Sequence, residues 1–141
     1  MARAVLDPNV LVSALISPSG TSARLLLELR AGAFELVTSP PLLTELEDVL
    51  GREKFRRYVT AEEAEAFVEL LRGESVLVPD PEPPALPLSE DPGDEYLITL
   101  ARTAGVDALV SGDPHVLRLR SRIPAMTAGE FLERLRRHES E

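Results

Sequence analysis

The chain has 141 residues and a mass of 15.4 kDa, the size of one domain (1–141) and enough to bury roughly 70% of its unfolded surface. Hydrophobic residues at 44% and charged residues at 28% exclude disordered and fibrous classes, and no apolar run reaches the ~18 residues of a membrane span. The absence of cysteine excludes a disulfide framework and a thiolate nucleophile, and a net charge of −9 speaks against a broad nucleic-acid-binding face while leaving room for a local one.

Residues 3–6 form a short apolar run, read as a first strand that stops at Asp7-Pro8. From Asn9, the positions Val10, Leu11, Ala14 and Leu15 recur at helical spacing until Ser17-Pro18-Ser19-Gly20 breaks them. Thr21 or Ser22 can cap a second helix through Leu25, Leu26, Leu27 and Leu29, ended by Gly32. Phe34 to Val37 is a second strand. Ser39 before Pro40-Pro41 starts a helix, because a proline in the first turn lacks only a donor that is not needed there. That helix carries Leu42, Leu43, Leu46, Val49 and Leu50 on one side and ends near Gly51. Thr60-Ala61-Glu62-Glu63 spells a capping box, and its helix is expected to run to Leu71 and stop at Gly73. Ser75 to Val78 is a third strand. Residues 79–92 hold six prolines and read as an extended surface loop. A helix follows from Asp94 to Ala104, then a fourth strand, Ala108 to Val110, ended by Ser111-Gly112-Asp113. A short helix to about Arg120 leads to a fifth strand within 123–126. Thr127-Ala128-Gly129-Glu130 is a second capping box, opening a last helix to Arg137. Alternating strands and helices predict an α/β sandwich with a mainly parallel sheet. Sites in such sheets form beyond the carboxyl ends of the strands.

With only two histidines, His115 and His138, a zinc site has little to build on, and the chemistry falls to Ser, Thr, Lys or carboxylates. Asp7 follows the first strand and Asp113 the fourth, so both are expected at the carboxyl edge. Asp91 and Asp94 open the helix leading into the fourth strand, and Glu45 lies in the helix after the second. Each has an ordinary reading on its own: Asp94 and Asp113 as helix caps, Glu45 as a solvated position beside Glu47 and Asp48. Two strand-end acids at one edge, with Asn9 beside the first, weaken that reading taken jointly. Converging carboxylates repel one another, and a divalent cation offsets the cost. Mg²⁺ takes few protein carboxylates together with substrate phosphate, and paired ions activate water and stabilise a leaving oxygen. Carboxylates without His or Cys therefore suggest metal-assisted phosphoryl chemistry.

Four segments in order resemble the PIN-domain ribonucleases, most of all the VapC-like toxins of bacterial toxin–antitoxin pairs. They are Leu6-Asp7-Pro8-Asn9-Val10-Leu11-Val12-Ser13-Ala14; Leu43-Thr44-Glu45-Leu46-Glu47-Asp48-Val49-Leu50; Asp91-Pro92-Gly93-Asp94-Glu95-Tyr96-Leu97; and Val110-Ser111-Gly112-Asp113-Pro114-His115-Val116-Leu117. The resemblance implies a three-layer α/β/α sandwich with a five-stranded, mainly parallel sheet. It also implies Mg²⁺- or Mn²⁺-dependent cleavage of single-stranded RNA, and an antitoxin protein as partner; the cytoplasm is the default compartment on composition alone, with no membrane-span run, no secretory pattern and no cysteine. Residue by residue, it makes Asp7, Glu45, Asp94 and Asp113 the metal-site carboxylates. Asn9 and Ser111 match polar helpers, and Asp91 matches a frequent extra acid. Pro8 departs from the family, which usually has Thr or Ser there.

Basic residues offer a thin path for RNA: Arg52, Lys54, Arg56 and Arg57 after the Glu45 helix, and Arg118, Arg120 and Arg122 after Asp113. Charge clusters are more often solvated faces, but the position of these after two site motifs favours phosphate contact for some. The leucine-rich helices can support a homodimer face, although a leucine stripe is more often core. The alternative to a nuclease is a PIN-fold RNA- or protein-binding module without cleavage. A phosphatase of the haloacid dehalogenase kind ranks last, because it needs an acid two residues after Asp7, where Asn9 stands.

Overall fold

The computed structural model describes residues 1–79 and 92–139, without the side chains of 92–94 and 138–139. Asp91 and almost all of the proline-rich stretch lie outside the described residues.

Five strands, β1 (Ala2–Leu6), β2 (Phe34–Thr38), β3 (Ser75–Leu77), β4 (Ala108–Val110) and β5 (Ala125–Met126), form one sheet in the order β3-β2-β1-β4-β5. Every pairing is parallel. The chain works outward from β1 through β2 to β3, then crosses back to β4 and out to β5. Right-handed crossovers put helices made on the outward run on one face and the helix made on the return on the other. The first group is α1 (Pro8–Ile16), α2 (Thr21–Arg30), α3 (Pro40–Leu50) and α4 (Ala61–Glu74); the return helix is α5 (Pro92–Ala104). A four-residue α6 (Pro114–Leu117) joins β4 to β5, and α7 (Ala128–Glu139) closes the chain against α2 and β4.

Covering on both faces explains the strand sequences. Ala4, Val5 and Leu6 of β1 and Ala108, Leu109 and Val110 of β4 are all buried, a continuous apolar run rather than an alternating one. The stripe Leu42, Leu43, Leu46, Val49 and Leu50 of α3 is buried against α1 and α4, each side chain contributing about 1.5–3 kcal/mol by leaving water. Phe131 of α7 meets Phe34 of β2 edge to face, ring centres 5.1 Å apart.

Local chemistry sets the element ends. α1 starts at Pro8, one residue before the expected start, because the Asp7 side chain accepts the Asn9 N–H and proline fits the first turn. α2 is capped by Gly20 without a side-chain bond, so Thr21 and Ser22 sit inside its first turn. Gly32, at φ +82°, ends it: the Gly32 N–H reaches the Leu29 carbonyl (3.0 Å) and the Ala33 N–H the Glu28 carbonyl (2.9 Å). Both capping boxes form, Thr60 with Glu63 and Thr127 with Glu130. Gly73 does not stop α4, which continues to Glu74 and passes directly into β3. α6 ends at Leu117 rather than near Arg120, and β5 keeps only two residues.

Candidate active site

A parallel sheet brings all strand carboxyl ends to one edge. Pairing of Leu6 with Val110 sets Asp7 beside Ser111, and the Asp7 N–H continues the ladder to the Val110 carbonyl at 2.9 Å. Among the described residues, the buried polar side chains are Asp7, Thr38, Ser39 and Ser111, and all four stand at the carboxyl ends of β1, β2 and β4. Buried polar groups persist where they find partners. Ser39 caps α3 through the Leu42 N–H, and the Thr38 and Ser75 hydroxyls lie 2.7 Å apart.

Asp7 is only 4% exposed. Its Oδ1 accepts the Asn9 N–H at 3.0 Å, and its Oδ2 accepts the Ser111 hydroxyl at 2.8 Å. The Ser111 Oγ in turn accepts the Asp113 N–H at 3.0 Å, so one buried hydroxyl fixes both strand-end acids. Asp113 caps α6: its Oδ1 accepts the His115 N–H at 2.9 Å and lies 3.1 Å from His115 Nδ1. Burial pushes the Asp7 carboxyl above its ordinary pKa. The bonds from Asn9 and Ser111 oppose that rise, and the neighbouring charge of Asp113 adds to it.

Asp7, Asn9 and Asp113 line an open cavity of about 430 Å³, together with Ser13, Ser22 and the Gly112–Pro114 turn. Sequence reading missed Ser13 and Ser22. Ser13 was accessible to it, since Asn9 and Ser13 stand four apart on one face of α1. Ser22 was not, because only the packing of α2 on α1 brings it in.

The remaining acids are placed differently. Glu45, half-buried on α3, accepts a hydrogen bond on Oε2 from the Tyr96 hydroxyl of α5. Asp94 lies in the first turn of α5, its side chain outside the described atoms, and Asp91 lies outside the described residues. Among the described residues no three carboxylate or imidazole groups gather at one point. The structure therefore brings Asp7 and Asp113 together with Asn9 and Ser111, and holds Glu45 on Tyr96.

The basic residues serve other contacts. Arg56 donates to the Leu50 carbonyl at 3.4 Å and the Val59 carbonyl at 3.3 Å, closing the end of α3. Lys54 stands 5.0 Å over the Phe55 ring, and Arg52 is exposed before a single 3₁₀ turn. None of these three lines the Asp7–Asp113 cavity. Arg120 forks onto Glu130 at 3.2 and 3.3 Å.

The model of the PIN domain family matches residues 3–115. The fold is similar to a chain in the crystal structure of VapBC2 from Rickettsia felis bound to a DNA fragment from their promoter. The TM-score is 0.61 at 17% identity, covering 89% of this chain and 98% of that one. No curated protein matches in sequence.

Proposed function

The chain belongs to the PIN-domain family, and on that premise we propose that it is a Mg²⁺- or Mn²⁺-dependent endoribonuclease, the toxin of a toxin–antitoxin pair. The observation that carries this reading is the pairing of Asp7 and Asp113 at one cavity through a shared buried serine. A buried carboxylate beside a second acid is costly to ionise, and a divalent cation offsets that cost. The donors around the cavity are oxygens of carboxylate, amide and hydroxyl groups, the set hard cations prefer. Mg²⁺ needs only one or two protein carboxylates, with water and substrate phosphate filling the rest, so the donor set fits.

Asp7 and Asp113 would hold the ion, and the family resemblance adds Glu45 and Asp94. The ion, when bound, supplies activation of water and neutralisation of the leaving oxygen. The chain's own residues supply placement. The Asn9 N–H fixes one oxygen of Asp7, and Ser111 fixes the other while holding the backbone of Asp113. RNA approaches over Arg52, Lys54 and Arg56, with Arg56 also carrying its structural bonds. An antitoxin partner is supported by an apolar groove of about 320 Å³ between α1, α2 and α4, lined by Leu15, Leu26, Leu27, Phe67 and Leu70, of which Leu27 is 67% exposed. A homodimer over the same leucines is the competing use of that face. Among the described residues no single helix is long and apolar enough to cross a membrane. We place the protein in the cytoplasm as one domain.

The test is cleavage of unstructured and structured RNA in Mn²⁺, in chelator, and by Asp7→Asn and Asp113→Asn. Cleavage is expected only from wild type with metal. Metal-dependent RNA binding without cleavage would establish the alternative, a PIN-fold binding module.

A further inference from the structure

We propose that Tyr96 is the positioning residue for Glu45: its hydroxyl holds one carboxylate oxygen so that the other is presented to the divalent cation. The inference rests on the nuclease reading, because it takes Glu45 as a ligand. The Tyr96 ring is anchored, packed against the hydrophobic core from the second turn of α5, and Leu97 and Ile98 beside it are buried. Its hydroxyl donates to Glu45 Oε2, which leaves Oε1 for a cation. α3 leaves the carboxyl end of β2, and α5 begins at that same end of the sheet before running back to β4. The two helices lie on opposite faces, so the bond ties one to the other at the carboxyl side of the sheet, the side on which Asp7 and Asp113 stand, while Glu45 and Tyr96 themselves stay outside the lining of the Asp7–Asp113 cavity. Glutamate is long and loses considerable rotamer freedom when fixed. A rigid donor seated in the core fixes it in advance of the ion. Outer partners of this kind orient ligating carboxylates and typically change metal affinity or activity 10–100-fold when removed.

The test uses the full chain as wild type, Tyr96→Phe, Glu45→Gln and the double variant. Phenylalanine keeps the ring packing and deletes only the hydroxyl. Mn²⁺ is titrated by calorimetry and by its effect on melting, with RNA cleavage measured over the same Mn²⁺ range. Tyr96→Phe is expected to raise the Mn²⁺ half-saturation about tenfold in both binding and cleavage, with maximal cleavage largely regained at saturating Mn²⁺. In the Glu45→Gln background the same change is expected to add nothing. A tether with only a structural role would lower melting in chelator and add its loss in both backgrounds, which would overturn the proposal. Unchanged or tighter Mn²⁺ binding by Tyr96→Phe, with Glu45→Gln impaired, would overturn it and leave the nuclease reading standing. Wild type that neither binds Mn²⁺ nor cleaves RNA would overturn that reading itself, and a fully active Glu45→Gln would remove Glu45 from the ligands and the proposal with it.

Discussion

Ser111 is fully buried and makes two bonds to two different acids, so its removal is expected to act on the pair at once. Ser111→Ala leaves Asp7 Oδ2 and the Asp113 N–H without that partner, a cost of about 1–3 kcal/mol for stranded polar groups. Metal affinity or cleavage is expected to fall about 10–100-fold. Chemical denaturation and Mn²⁺ titration measure the two effects separately. Asp7 carries a pH signature. Its carboxyl sits above the ordinary range, chiefly through burial. The folded state therefore holds the proton more tightly than the unfolded state. The stability this contributes is complete below the unfolded pKa and is lost as pH rises through the folded one. Asparagine does not titrate. In chelator, Asp7→Asn is expected to melt with wild type in acid and above it at neutral pH. Its cleavage is expected to be abolished at every pH. A melting difference that does not change with pH would show that burial of the charge is not what the site offsets. The strand-end position of Asp7 and Asp113 was legible from short apolar runs ending in an acid. The Ser111 link was legible only as a resemblance, because a register is needed to set residue 111 beside residue 7.

Two glycines show how far the elements could be read from sequence. Gly32 is a stop signal in the sequence and a stop in the structure, in a backbone conformation that a side chain adopts only with strain. Gly73 is the same signal in the sequence but no stop in the structure: α4 runs past it to Glu74, and β3 begins immediately afterwards. A Cβ at either position meets nothing within 4 Å, so backbone preference alone decides the outcome. Gly32→Ala is expected to cost about 1–2 kcal/mol, the penalty of left-handed backbone for a residue with a Cβ. Gly73→Ala is expected to gain about 0.5–1 kcal/mol through reduced freedom of the unfolded chain. Thermal melting of the two variants gives opposite signs; a loss at Gly73 would mean that the end of α4 needs glycine after all. The capping boxes were legible in full because their chemistry spans only four residues. In the box at Thr127, bonds from the Thr127 N–H and hydroxyl, helped by Arg120, hold Glu130 below its ordinary pKa. That contribution is present above the unfolded pKa and is lost as pH falls through the folded one, so Glu130→Gln is expected to lower melting at neutral pH and to match wild type in acid. The two-residue β5 was harder to read, since its extent depends on partners in β4 rather than on its own residues.

At the scale of the whole molecule, alternation of strands and helices was enough to give a parallel α/β sheet. What remained out of reach were side-chain contacts that sequence spacing does not dictate. Tyr96 on Glu45 is one, and the use of Arg56 to close α3 is another. Both involve side chains whose type permits many roles and whose partner is fixed only by packing. The arginine case changes how RNA binding must be tested. With a net charge of −9 the protein repels RNA at a distance, so association is expected to need a divalent ion and a few local cations. Each phosphate contact releases counterions, and the salt dependence of affinity counts such contacts, with a slope of about −0.7 per contact on a single strand. Replacing Arg56 would confound that count, because losing its bonds to the Leu50 and Val59 carbonyls loosens the fold. Arg56→Ala is expected to melt below wild type whether or not it touches RNA. Arg52→Ala with Lys54→Ala removes two exposed charges with no carbonyl clamp to break. In a cleavage-dead Asp113→Asn background, that pair is expected to weaken RNA binding and to flatten the slope by about 0.7–1.4, one or two contacts. Titration at several monovalent salt concentrations measures it. An unchanged slope would mark both residues as a solvated face and turn attention to Arg118 and Arg122, which follow Asp113 in the chain and are exposed.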